Sequence, residues 1–140
     1  MDATIWAKIH GATVHFPIAL VLCSWALDAT GLLFPGTAVR RGLHAAGYWT
    51  LLLGAVGTVP AVASGLVMTK GVMLGHDALR MHHLFAWPAF ALIVGIATWR
   101  SVAPEFATRR GMGSYLAVAG VAGALVAAAG YWGGEMLLAR

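Results

Sequence analysis

Charged residues divide this chain into long apolar blocks. No Asp, Glu, Lys or Arg falls within residues 9–27, 42–69, 81–99 or 111–134. Each block reaches or passes the roughly 18 residues that mark a bilayer-spanning helix. A membrane β-barrel would instead alternate polar and apolar positions over segments of about 10 residues, and a spanning segment must satisfy its own backbone groups. The blocks therefore predict four helices. The first covers about 6–34 and is stopped by Phe34-Pro35-Gly36-Thr37. The second covers about 39–69, with Pro60 inside it as an expected kink. The third starts at Asp77, expected as its N-cap, and runs to about residue 100. The fourth runs from 111 to near 140. Short connections make successive helices antiparallel neighbours. The expected fold is all-α: an integral membrane four-helix up-down-up-down bundle forming a single domain over residues 1–140.

Composition sharpens the pattern. Hydrophobic residues make up 60% of the chain and charged residues 10%, against about 25% charged in soluble domains. The deficit of charge matters most, because a water-facing surface needs it. The net charge of +4 lies near the span ends and suggests lipid headgroups or an acidic docking partner, not nucleic acid. Cys23 is the sole cysteine, so neither an intrachain disulfide nor a CxxCH haem attachment is available. The opening MDATIWAKIH lacks the basic flank and cleavage site of a signal peptide, and the first apolar run is expected to persist in the mature protein.

An up-and-down bundle has two ends. The N-terminus, the 70–77 loop and the C-terminus share side A, with Lys8, Lys70, Arg80 and Arg140. The 35–41 and 101–110 loops share side B, with Arg40, Arg41, Arg100, Arg109 and Arg110. Lys and Arg favour the cytoplasm, which places side B there and both termini on the opposite face.

The six histidines are distributed unevenly. His10, His15, His76, His82 and His83 lie on or near side A, and His44 alone lies near side B. Ionisable groups inside a membrane are costly and tend to be functional. His15 and His82 fall at matching depth on helices 1 and 3, which run in the same direction. Gly11 and Ala19 flank His15 at i−4 and i+4, and Ala78 and Ala86 flank His82. Such small-residue faces would admit a porphyrin, with each imidazole supplying one axial ligand to its iron. His83 has bulky neighbours, Leu79 and Trp87, and is the alternative ligand on helix 3; His10 is flanked by Trp6 and Val14. Arg80, one turn from His82, is a candidate partner for a haem propionate or a snorkelling boundary charge. Bonding to a backbone carbonyl, or a place in headgroup water, is the expectation for His10, His44 and His76. Small residues recur on helix 2 (Gly54, Gly57, Ala61, Gly65) and helix 4 (Gly120, Gly123, Ala127, Gly130, Gly134), where they serve close helix contact or room for a flat cofactor.

Residues 9–20, IHGATVHFPIAL, resemble the opening signature of a bacterial family of small four-helix membrane proteins, the domain of unknown function 2231, whose first helix reads like HP-x-x-VHFPIAL. Gly11 stands where the family has Pro. Ala63-Ser64-Gly65, a His early in the third helix and Gly133-Gly134-Glu135 also fit the pattern. The resemblance implies redox work at the bacterial inner membrane, because such domains occur fused to c-type cytochrome or sugar-dehydrogenase domains.

The leading expectation is a membrane-anchored b-type cytochrome subunit. It would carry one haem b near the periplasmic face on His15 and His82. It would pass electrons between a periplasmic partner, a c-type cytochrome or dehydrogenase subunit, and the quinone pool or another membrane subunit. Two rivals stand beside it: a cofactor-free anchor for a periplasmic enzyme, and a His-rich copper or zinc site. No nucleophile–base pair, phosphate loop or carboxylate dyad points to catalysis by the chain itself.

Overall fold

The computed structural model describes residues 3–103 and 109–138. Residues 104–108 of the expected second side B loop, Pro104 among them, and Arg140 lie outside the described residues. Four helices account for nearly all of the chain: α1 (Ala3–Gly31), α2 (Ala38–Met68), α3 (Asp77–Val102) and α4 (Arg109–Leu138). All four are long and apolar enough to cross a membrane. The chain is therefore a multi-pass membrane protein whose outer surface meets lipid. That surface is apolar: Trp49, Val56, Val59, Phe16 and Val121 all point outward. Facing outward, such side chains suit a hydrocarbon solvent and would be a liability in water.

Local chemistry explains the helix ends. α1 stops at Gly31, three residues before its expected end at Phe34. The amides of Leu32, Leu33 and Phe34 bond three residues back, to Ala29, Thr30 and Gly31, which tightens the chain into a turn. Gly36 completes it at φ 76°, a conformation that suits glycine. Thr37 then caps α2, its hydroxyl accepting from the Arg40 amide at 3.1 Å. Between α2 and α3, Lys70, Gly71 and Gly75 all have positive φ. The residue capping α3 is His76, whose side chain makes no cap bond; Asp77 is the first helical residue rather than the cap. Pro17 and Pro88, as well as Pro60, lie within helices.

α1 packs mainly on α2, and α3 mainly on α4; the two hairpins meet more sparsely, through α1 with α4 and α2 with α3. α1 and α3 are thus diagonal. Val21, Leu51, Ile93, Ile96, Ala119 and Ala122 form an apolar core between the hairpins. This plug separates the bundle into a side A half and a side B half, and the two differ sharply in chemistry.

Candidate functional site

On side A the hairpins part around a cavity of about 450 Å3, within the range typical of cofactor pockets. Its wall is largely apolar: Val14, Ile18, Leu66, Trp87, Phe90 and Ile93 contribute from three helices. The polar groups are imidazoles. His10 and His15 reach it from α1, and His82 and His83 from α3. The candidate residues Gly11 and Ala86 line it as well. Ala19 and Arg80 are not among its lining residues; both are exposed, Arg80 at the side A rim. The structure therefore brings five of the seven candidate residues to one cavity.

Each imidazole has a definable state. His82 Nδ1 lies 2.8 Å from the Ala129 carbonyl of α4. A carbonyl can only accept, so Nδ1 is the donor; in the neutral ring Nε2 then keeps its lone pair. His10 does the same on α2, with Nδ1 3.0 Å from the Ala61 carbonyl and 3.2 Å from Ser64 Oγ. His15 donates to the Gly11 carbonyl of its own helix and lies at the cavity edge. This is how metal-ligating histidines are commonly oriented, through the nitrogen that does not ligate. His83 differs. It is only 7% exposed, its ring bonds to the Leu74 backbone, and among the described residues its Nδ1 has no hydrogen-bond partner. An orphaned polar atom at that depth costs about 1–3 kcal/mol and calls for a partner.

Glycines make these seats. A Cβ at Gly65 would lie 3.0 Å from His10 Cε1, and one at Gly133 would lie 3.4 Å from His82 Nδ1. Each glycine sits one turn after the carbonyl that receives the imidazole, Ala61 and Ala129. The small residues of α2 and α4 at this end thus seat side chains of the opposite helix in each hairpin. A Cβ at Gly11 would meet nothing within 4 Å, so this glycine simply widens the cavity.

These residues fit a haem group: ring nitrogens without a donated proton, an apolar wall, and an orphaned buried nitrogen meet in one space. A compact ion site fits less well, since among the described residues no three His, Cys, Asp or Glu side chains group to hold a metal ion.

Side B holds a second polar centre that sequence reasoning missed. Asp28 of α1 is fully buried. Arg100 of α3 grips both its carboxylate oxygens, Nη1 on Oδ2 and Nη2 on Oδ1 at 2.8 Å. His44 of α2 donates from Nδ1 to Oδ1 at 2.8 Å, while its Nε2 accepts from Arg40 Nε at 3.1 Å. Arg100 also donates to the His44 carbonyl at 2.8 Å and to the Tyr115 hydroxyl of α4 at 3.0 Å. Tyr115 passes its proton to Ser24 Oγ at 2.9 Å, and Ser24 donates to the Gly47 carbonyl at 2.6 Å. All four helices contribute to one network. Gly47 is required for it, because a Cβ there would fall 2.7 Å from Asp28 Oδ2. His44, expected to bond to a carbonyl or sit in headgroup water, instead pairs with a carboxylate. The signal was present in sequence: the uncharged blocks end at Leu27 and Trp99, so two opposite charges stand next to them at matching depth. Arg100 is consequently no loop charge, and the described basic residues at the side B surface are Arg40, Arg41 and Arg110.

A four-helix membrane bundle with a histidine-lined cavity is the class these observations define. The chain belongs to the family described as predicted membrane protein (DUF2231), whose profile matches residues 7–139. No curated protein and no solved structure matches the chain.

Proposed function

We propose that the protein is a membrane electron-transfer subunit that binds one haem b in the side A cavity. A single observation carries this reading: imidazoles from α1 and α3, each held through Nδ1 by a carbonyl so that Nε2 is not the bonded nitrogen, converge on one apolar space. When bound, haem supplies a one-electron carrier that the side chains alone lack. His82 would hold the iron from α3, and His15, the helix 1 candidate from the sequence, or its neighbour His10 would hold it from α1. The apolar wall excludes water, and Gly11 and Ala86 leave room for the ring. His83 Nδ1 would meet a polar edge of the group rather than remain unpaired. Side B, with Arg40, Arg41 and Arg110, faces the cytoplasm in this reading. The cavity then opens near the periplasmic face, within reach of a c-type cytochrome or dehydrogenase partner there, and of quinone in the bilayer.

The test is a reduced-minus-oxidised spectrum of the purified chain from haem-replete bacteria, with haem quantified per folded chain. Sharp reduced bands at about one haem per chain are expected. A folded chain without chromophore sinks the proposal. His82→Ala should remove the bands, whereas His76→Ala, at a loop position outside the cavity, should leave them unchanged.

A further inference from the structure

We infer that the axial pair is His10 with His82, and that His15 is not a ligand; this rests on the haem reading above. Two imidazoles that share one metal ion along a line stand with ring centres about 6 Å apart, from a metal–nitrogen bond of about 2 Å on each side plus about 1 Å within each ring. His10 and His82 have ring centroids 6.3 Å apart. Their planes cross at 82°; a shared metal would require each Nε2 to point along the line between the rings, and that requirement sets no angle between the two planes.

The same device is built twice around this pair. In the first hairpin, His10 of α1 donates from Nδ1 to the Ala61 carbonyl of α2, and Gly65 one turn later makes room for the ring. In the second, His82 of α3 donates from Nδ1 to the Ala129 carbonyl of α4, and Gly133 one turn later lies against the ring, where a Cβ would reach ordinary van der Waals contact at 3.4 Å. Each hairpin thus holds one imidazole on its own partner helix and leaves Nε2 outside that bond. Their rings lie 6.3 Å apart between centroids, on the diagonal of the bundle, across the gap where the hairpins part. His15 lacks this support. Its Nδ1 bonds within its own helix, and no hydrogen bond to a neighbouring helix fixes its ring. His83 stands beside the pair, with His83 and His82 ring centroids 5.6 Å apart. Oriented ligands of this kind lose little freedom on binding, which is the physical gain of holding them from a second helix.

The experiment compares His10→Gly, His15→Gly and His82→Gly in detergent, reading haem per folded chain and the ferric spin state by low-temperature electron paramagnetic resonance. His10→Gly and His82→Gly are expected to lose the low-spin six-coordinate signal, through at least a tenfold fall in haem or conversion to high spin. His15→Gly keeps both haem and the low-spin signal. Added imidazole should restore low-spin haem to His10→Gly, a rescue that a merely structural histidine would not show. Loss of the low-spin signal in His15→Gly, with His10→Gly unaffected, overturns the pair while leaving haem binding intact. Failure of imidazole to restore His10→Gly, in chain shown to be folded by circular dichroism, also overturns it. A wild-type chain that folds without haem defeats the haem reading itself, and this outcome is visible before any variant is made.

Discussion

The two halves of this bundle use similar residue types to opposite ends. On side B an aspartate, an arginine, a histidine, a tyrosine and a serine satisfy one another: Asp28 accepts from both Arg100 nitrogens and from His44, the Tyr115 hydroxyl donates to Ser24, and Ser24 donates in turn to the Gly47 carbonyl. On side A four imidazoles surround open space, and one of them, His83, keeps a buried nitrogen unpaired. A fully satisfied polar network in a low-dielectric interior rigidifies what it joins, whereas a partly satisfied one is costly unless something else completes it. Side B therefore reads as the clamp that holds four helices at one end, and side A, under the proposed function, as the place where the bundle receives a ligand. The apolar plug of Val21, Leu51, Ile93 and Ala122 keeps the two apart.

The strongest way to break this comparison is to unpair the clamp. Arg100→Met leaves Asp28 charged and buried, and should cost about 3–5 kcal/mol in unfolding in detergent. The double change Asp28→Leu with Arg100→Met should recover much of that loss, because it removes both charges. Haem per folded chain should hardly move in either protein. If Arg100→Met empties the cavity while the unfolding midpoint stays put, the halves are not separate in role.

Gly47→Ala tests the clamp more gently. The new methyl meets the Asp28 carboxylate at 2.7–2.8 Å, and the expected destabilisation is about 1–3 kcal/mol, read from the same unfolding curves. Unchanged stability would mean that the network shifts freely and is no clamp.

Filling the cavity should give the reverse pattern. Gly11→Leu meets no neighbour at Cβ, and Leu suits a spanning helix at least as well as Gly. Its bulk enters the cavity, so haem affinity should drop about tenfold, equivalent to about 1.4 kcal/mol, with insertion and unfolding unaltered. Ala86→Leu should behave alike, and Leu92→Ile, deeper in α3, should be silent. Lost stability with full haem occupancy in the remaining folded chain would show that Gly11 and Ala86 serve helix contact instead.

The smallest perturbation addresses orientation. In a Cys23→Ser background, Ala38→Cys at the start of α2 should resist an impermeant thiol reagent in intact cells and react after lysis. Ready labelling of intact cells would put side B outside and the cavity on the cytoplasmic side.

The number of helices, their order and their membrane setting were legible from charge spacing alone, because a hydrocarbon solvent penalises charge residue by residue, and that penalty is local. The end of the bundle that carries the cavity was legible too, since five histidines cluster near side A. Which histidines face each other was not. His15 has small neighbours along its own helix, and that pattern favoured it; His10 is turned inward by Ala61 and Gly65, 51 and more residues away on α2. Asp28 and Arg100 were visible as charges bordering apolar blocks, but their pairing depends on α1 and α3 being diagonal and on Gly47 leaving space between them. Spacing along one helix reports which residues share a face. Only the packed bundle decides what that face meets, because a hydrogen bond or a ring contact across helices depends on rotation and register that no single helix encodes.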